Sequence, residues 1–212
     1  MTDQIKHEPR LPDARAGFSR RAFLRGSGAA AAATALAQAP GMADETAAAT
    51  AAVVGPGATP ITLSVNGSDR ELKVEPRMTL LEALRYRLDL TGAKPVSTDG
   101  SSGASTVLLD GKPVCASTVL AVDCVGKPIR TVESLGGAKP DAVPVAFLHH
   151  DAMQCGFCTP GFVVAVRAFL DKHPKATEAE IRAGLNGNIC RCGTYANVIM
   201  AALEVVKGGS RG

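Results

Sequence analysis

Residues 154–161 read QCGFCTPG, and this stretch decides the architecture of the second half of the chain. It places two cysteines with two residues between them, shortly before a helix that the 3.6-residue spacing of apolar side chains predicts over residues 161–172. A second pair, Cys190 and Cys192, precedes the last predicted helix, residues 195–207. Cysteine pairs in two loops that each lead into a helix predict one site at which four thiolates meet.

The spacing of Cys155, Cys158, Cys190 and Cys192 leaves several kinds of site open. Thiolate sulfur suits iron–sulfur clusters, zinc and copper(I). Structural zinc sites favour two or more residues between paired ligands, which the second pair lacks. In an exported chain the four cysteines could instead form two disulfides. A thioredoxin-like redox pair is a further alternative, although that motif follows a strand in a βαβ unit and here the context is helical.

The rest of the second half is also predicted to be helical. Thr177 and Glu180 have the spacing of a capping box, which predicts a helix start before residues 181–185. With a short helix at residues 145–151, four helices joined by short loops predict a bundle.

The first half has a β pattern. Apolar and polar residues alternate on both sides of Asn66-Gly67, which predicts a β-hairpin over residues 61–74. Thr79 and Glu82 form a capping box before a helix, and a polar loop follows at residues 91–105. Further strands are predicted at residues 106–109, from Val114 on to 120–122, and at 129–132. Two hairpins around one helix predict an α+β fold of β-grasp type.

The N-terminal segment differs in composition from the rest. Residues 1–40 hold six basic and three acidic residues, so the remainder carries 17 of each sign and has no net charge. Without a concentrated basic face, nucleic-acid binding is excluded. Ser19-Arg20-Arg21-Ala22-Phe23-Leu24, followed by a short Ala-rich apolar stretch, is similar to a twin-arginine (Tat) signal over residues 1–40. This predicts export to the periplasm without a membrane anchor, and residues 41–60 are predicted to be a flexible linker.

Residues 154–161, followed by residues 185–193 with the sequence LNGNICRCG, resemble the xanthine dehydrogenase/aldehyde oxidoreductase family of molybdenum hydroxylases. The resemblance is to the separately encoded iron–sulfur subunits of its bacterial members, including the periplasmic aldehyde oxidoreductases. It implies a β-grasp [2Fe–2S] ferredoxin-like domain at residues 61–138 and a four-helix [2Fe–2S]-binding domain at residues 139–212.

The resemblance also implies site residues and partners. Cys155, Cys158, Cys190 and Cys192 would ligate the cluster near the molybdenum cofactor, and Gln154 would contact the pterin of that cofactor. The partners would be a molybdenum-cofactor-bearing catalytic subunit and a FAD-bearing subunit. This chain would carry electrons between them and do no substrate chemistry itself.

The sequence departs from the family pattern in its first domain. The family's plant-type ligand run has the form C-x4-C-x2-C with a fourth cysteine further on, whereas Ser97, Ser102, Ser105 and Ser117 stand here. A neutral hydroxyl is a poor ligand for an iron–sulfide core, because its deprotonation is far costlier than that of a thiol. We therefore expect one [2Fe–2S] cluster instead of two. Cys115 and Cys124 are expected to be core residues or a disulfide.

The leading hypothesis is an electron-transfer subunit with one [2Fe–2S] cluster. One alternative is a scaffold that docks the molybdenum and flavin subunits but conducts poorly, and another is an exported protein stabilised by zinc or disulfides. A Rieske-type site that uses His149 and His150 is disfavoured, because four cysteines already suffice.

Overall fold

The structure is a computed structural model that describes residues 55–208. This part of the chain begins with a β-hairpin. The predicted leader at residues 1–40 and most of the predicted linker lie outside these residues. Strands β1 (Thr59–Val65) and β2 (Ser68–Val74) pair antiparallel, and β1 begins two residues earlier than expected. Asn66 and Gly67 make the turn with φ values of 52° and 79°, as the sequence predicts.

Helix α1 (Leu80–Arg87) follows the hairpin and confirms the first capping box. The Thr79 hydroxyl accepts a hydrogen bond from the Glu82 N–H at 3.2 Å, and the Glu82 carboxylate accepts one from the Thr79 N–H at 2.8 Å. The helix buries its leucines in a core with the sheet.

The sheet is completed by β3 (Thr106–Leu109), β4 (Lys112–Cys115) and β5 (Pro128–Arg130). The strand order is β2-β1-β5-β3-β4, with β1 and β5 parallel and the other neighbours antiparallel. A mixed sheet with separate helices is an α+β fold, so the predicted class is confirmed.

The prediction of a strand at residues 120–122 is wrong. A 3₁₀ helix covers Ala121–Cys124, and Leu120 makes only an isolated bridge with Thr79. Ala121 and Cys124, three residues apart, are the fully buried positions, which suits one face of a 3₁₀ turn. The last strand also ends earlier than expected, because Val132 begins a second 3₁₀ helix, Val132–Leu135.

Four helices follow, as predicted. Helix α2 begins three residues earlier than expected because the Asp141 carboxylate caps it, accepting a hydrogen bond from the Val143 N–H at 2.9 Å. The second predicted capping box, Thr177 with Glu180, is present. The bounds are α2 Ala142–His149, α3 Thr159–Lys172, α4 Glu178–Gly184 and α5 Tyr195–Val206. None of the helices within residues 55–208 has the length and apolarity needed to cross a membrane.

Strand β3 connects two hydrophobic cores. Val107 packs in the core of the sheet and α1, while Leu108, on the opposite face of the strand, packs in the core of the helices. Helix α3 lies so close to the preceding loop that a Cβ on Gly161 would overlap the Gly103 carbonyl oxygen. This contact places the start of α3 directly against the serine-containing loop.

Candidate functional site

Both cysteine pairs lie at the N-termini of long helices. Cys158 is the N-cap residue of α3, and Cys192 lies two residues before Thr194, the N-cap residue of α5. The N-terminus of a helix presents free N–H groups and the positive end of its dipole, which favour bound anions. Each cysteine pair therefore lies near the positive end of a helix.

The four cysteines are arranged as two neighbouring pairs. Cys158 is beside Cys190, and Cys155 is beside Cys192. The first pair is the inner one, with Cys190 only 6% exposed, whereas Cys155 and Cys192 are both exposed. Gly156 and Gly193 allow the loops to turn, with φ values of 82° and 83°.

The inner pair has thiols of unequal acidity. Burial, followed by the interaction with Cys190, raises the pKa of the Cys158 thiol to about 12. Burial also acts to raise the pKa of Cys190, but hydrogen bonds from the Thr194 hydroxyl and backbone N–H outweigh it and lower this pKa to about 7. In the outer pair, a backbone hydrogen bond from Cys155 lowers the pKa of Cys192, but the Cys155 thiol and burial together raise it. The surroundings thus favour the anion at Cys190 and disfavour it at Cys158.

This donor set fits a [2Fe–2S] cluster. Within residues 55–208, no three or more His, Cys, Asp or Glu side chains surround one point as the ligands of a single metal ion do. A [2Fe–2S] core instead takes two thiolates on each of its two irons, and the two cysteine pairs supply that number. Gln154 is exposed and directly precedes Cys155.

Thr194 and Tyr195 contact the inner cysteine pair, and the sequence analysis missed both. The Thr194 hydroxyl donates to the Cys190 sulfur at 3.1 Å, and the Cys190 N–H donates to the Tyr195 hydroxyl at 2.7 Å. The signal that could have found them is their position two and three residues after Cys192, at the start of the last predicted helix.

The four serines form two hydrogen-bonded pairs. The hydroxyls of Ser97 and Ser102 lie 2.8 Å apart, and those of Ser105 and Ser117 lie 3.0 Å apart. Backbone N–H groups complete the site, since Ser102 donates to the Ser97 hydroxyl at 3.1 Å and Ser117 donates to the Ser105 hydroxyl at 3.3 Å. The hydroxyls thereby satisfy one another.

The six cysteines of the chain are all free thiols in the structure. The Cys124 thiol is buried and donates to the Leu120 carbonyl at 3.4 Å, while the Cys115 thiol donates to the Gly100 carbonyl at 3.4 Å. Of the two expectations for Cys115 and Cys124, the structure therefore shows no disulfide, and Cys124 belongs to the core of the sheet.

Two hydrogen bonds join the loop that carries Ser97, Ser102 and Ser105 (the serine loop) to the loop that carries Cys190 and Cys192 (the second cysteine loop). The buried Asn188 amide donates to the Gly103 carbonyl at 2.9 Å, and the Ile189 N–H donates to the Ser102 carbonyl at 3.0 Å. Ile189 directly precedes Cys190, so the two sites are connected through one hydrogen bond and a few covalent bonds.

The two histidines that could suggest a Rieske-type site are directed to α5. His149 Nδ1 lies 2.9 Å from one Glu204 carboxylate oxygen, and His150 Nε2 lies 2.7 Å from the other. These contacts, first that with His149, lower the pKa of Glu204. The histidines thus fasten the end of α2 to α5.

Comparison with known proteins matches the helical half to one family model. The model of the [2Fe-2S] binding domain matches residues 131–203, which contain all four paired cysteines. The aldehyde oxidoreductase iron-sulfur-binding subunit PaoA of Escherichia coli O157:H7 is 39% identical over 221 residues, covering 96% of this chain and 92% of the relative.

This chain belongs to the iron–sulfur subunits of the molybdenum hydroxylase family. It is therefore a non-catalytic subunit of an oxidoreductase and carries a [2Fe–2S]-binding domain. The nicotine 6-hydroxylase small subunit of Paenarthrobacter nicotinovorans is 40% identical over 144 residues, covering 68% of this chain and 87% of the relative. Among solved structures, quinoline 2-oxidoreductase from Pseudomonas putida 86 matches with a TM-score of 0.69 and 39% identity, over 73% of this chain and 98% of that chain.

Proposed function

We propose that this chain is the electron-transfer subunit of a periplasmic molybdenum-dependent aldehyde oxidoreductase or hydroxylase, passing electrons from the molybdenum cofactor toward FAD. The observation that carries the proposal is the convergence of two cysteine pairs at the N-termini of α3 and α5, inside the [2Fe-2S] binding domain. The assignment of a β-grasp ferredoxin-like domain followed by a four-helix domain is part of this proposal. It is supported by the two cores and by the mixed sheet against α1.

The proposed ligands are Cys155, Cys158, Cys190 and Cys192. A bound [2Fe–2S] cluster supplies one-electron storage at this point. The role of the chain is to hold it with the outer pair at the surface and the inner pair toward the serine loop, through Ile189. Thiolates at helix N-termini are electrostatically favoured there.

The surface around the outer pair suits a protein partner. Met153, Phe157 and Ile189 are 37%, 57% and 55% exposed and lie beside the cysteines in sequence. Exposed apolar side chains around a functional site are typical of an interface. We assign this face to the molybdenum-bearing subunit, with Gln154 contacting the pterin of its cofactor.

The plant-type cluster is proposed to be absent. A serine hydroxyl remains neutral at physiological pH and is a poor ligand for iron, and each of the four hydroxyls already makes a Ser–Ser hydrogen bond. Electron transfer to flavin would then span a longer gap, and electron tunnelling falls steeply with distance. We expect rapid reduction of the remaining cluster and slow reduction of the flavin.

The test uses the chain assembled with its molybdenum and flavin subunits. The complex is mixed anaerobically with an aldehyde in a stopped-flow instrument, and the cluster and flavin absorbances are followed separately. Cluster reduction that clearly precedes flavin bleaching supports the proposal. Simultaneous rapid bleaching shows that the serine site does not interrupt transfer, and a flavin that is never reduced favours the scaffold function.

The serine pairs support the scaffold alternative. Their hydrogen bonds hold the loop in place without a metal, so the first domain can serve to dock the partner subunits without carrying a cluster. The zinc-stabilised alternative is separated from both by metal analysis, because it requires zinc and no acid-labile sulfide.

Periplasmic export rests on the leader. The similarity to PaoA spans 96% of this chain and therefore includes most of the leader. Replacing Arg20 and Arg21 by Lys should retain the chain in the cytoplasm, as measured by cell fractionation, while the unchanged chain is recovered from the periplasm. Equal periplasmic recovery of both would contradict Tat export.

A further inference from the structure

Within residues 55–208, three α-helices have a threonine at the N-cap position, and one of these threonines makes a different hydrogen bond from the other two. Thr79 and Thr177 accept hydrogen bonds from the N–H groups of Glu82 and Glu180, at 3.2 and 3.4 Å. Thr194, which caps α5, makes no side-chain hydrogen bond to its helix. Its hydroxyl instead donates to the Cys190 sulfur at 3.1 Å. Thr194 therefore lacks the hydrogen bond that normally makes threonine favourable at this position.

Both partners of this hydrogen bond are buried. Thr194 is 4% exposed and Cys190 is 6% exposed, so water does not compete for either group. Cys190 is also held through its backbone, because its N–H donates to the Tyr195 hydroxyl at 2.7 Å. The Tyr195 ring packs edge-on against the buried Phe162, with ring centroids 5.9 Å apart. The sulfur and the hydroxyl thus face each other in a fixed arrangement.

We propose that Thr194 is a positioning residue that sets the reduction potential of the cluster by donating its hydroxyl hydrogen to the Cys190 sulfur. The inference rests on the proposed function, in which Cys190 is a cluster ligand. A hydrogen bond to a ligand sulfur draws electron density from it and favours the more negative, reduced state. Loss of the hydroxyl then lowers the potential.

The experiment compares Thr194→Val with the unchanged chain, both with the cluster bound. Valine keeps the branched shape and removes the donor. The potential is measured by redox titration followed by electron paramagnetic resonance, and iron and sulfide are counted in the same samples. We expect two irons in both proteins, a lower potential in Thr194→Val, and a potential near the original in Thr194→Ser.

Thr177→Val is the matched control. It removes a threonine hydroxyl from the N-cap of a different helix and should lower thermal stability without moving the potential. An equal shift of the reduction potential in Thr177→Val would show that any loss of helix stability changes the potential, and this would overturn the proposal.

A second measurement uses resonance Raman spectroscopy. Bands of the iron–sulfur stretches should shift more in the unchanged protein than in Thr194→Val on transfer to deuterium oxide, because the variant lacks only the exchangeable hydroxyl hydrogen. An unchanged potential in Thr194→Val with two irons bound, or an equal deuterium shift in the two proteins, overturns the role of Thr194 and leaves the proposed function standing. An unchanged chain without iron overturns the proposed function itself, and the role of Thr194 with it.

Discussion

The serine site and the cysteine site of this chain share a plan and differ in their donor atoms. Each consists of two pairs, Ser97 with Ser102 and Ser105 with Ser117 in one, and the inner and outer cysteine pairs in the other. The serine pairs satisfy their hydrogen bonds internally, whereas the cysteine pairs lie at two helix N-termini with one sulfur held by a hydroxyl. The comparison teaches that a loop can hold two pairs of side chains together without a metal, because hydroxyls can bond to each other.

The largest effect, on the iron content, is expected when both cysteines of the inner pair are replaced by serine, the residue found in the serine site. In the double variant Cys158→Ser/Cys190→Ser the cluster loses two of its four thiolates, which hydroxyls do not replace, so the bound iron should fall from two atoms per chain to none. The measurement is iron and acid-labile sulfide in purified protein.

The control for that change is Ser97→Ala/Ser102→Ala, which alters the other site. It should leave the iron content unchanged. Iron retained by the cysteine double variant would show that the four cysteines are not the ligands.

The reverse change, replacing Ser97, Ser102, Ser105 and Ser117 by Cys, should add a cluster. The hydroxyls are 2.8 Å apart in one pair and 3.0 Å apart in the other, so the backbone already holds the two members of each pair together. We expect four irons per chain after anaerobic reconstitution, and a second reduced signal in electron paramagnetic resonance. Four cysteines with no additional iron would mean that the loop no longer has the shape of a metal site.

A smaller effect, on the free energy of unfolding, is expected when a hydrogen bond between the serine loop and the second cysteine loop is removed. Asn188→Ala removes one of three donors to the buried Gly103 carbonyl, which keeps the N–H and the hydroxyl of Thr106, so the change should cost about 0.5–1.5 kcal/mol of unfolding free energy. Chemical denaturation measures this value. Asn197→Ala is the matched control, because Asn197 also donates its amide to a carbonyl, that of Asp151 at 3.1 Å, but at an exposed position. Equal losses in the two variants would argue against a special role for the buried contact.

The smallest effect lies away from both sites, in the capping box of α4. Hydrogen bonds from Thr177 to the Glu180 carboxylate, first from the backbone N–H, lower the pKa of Glu180 below its usual 4.5. A lowered folded-state pKa stabilises the fold above the unfolded pKa, and this contribution is lost as pH falls through the folded value. Thr177→Ala should therefore lower the thermal midpoint by a few degrees at neutral pH and by less below pH 4.5. A constant difference across this range would show that Glu180 is not coupled to the cap.

Much of the fold could be predicted because its signals are local. The Asn66-Gly67 turn and the Thr79 and Thr177 capping boxes each depend on residues within four positions of one another, and all three are confirmed. The prediction of a strand at residues 120–122 was wrong for the opposite reason. The burial of Ala121 and Cys124 is set by packing against distant parts of the sheet core, and the local alternation suggested a strand.

The candidate site shows the same division. The cysteine spacing alone left zinc, disulfides and a cluster open, and only the family resemblance favoured the cluster. The contacts of Asn188 with Gly103 and of Thr194 with Cys190 could not be predicted, since they depend on how the loops meet in three dimensions. The serine pairing was likewise invisible, because the sequence shows which residues are replaced and not how their hydroxyls are satisfied.

The most direct test of the central claim is the number of iron and acid-labile sulfide atoms bound by the purified, anaerobically reconstituted chain. Two irons and two sulfides per chain, with a single signal in electron paramagnetic resonance after reduction, are the predicted result. A colourless chain without iron would contradict the claim that the cysteine pairs hold a cluster, and four irons would contradict the claim that the serine site is empty of one.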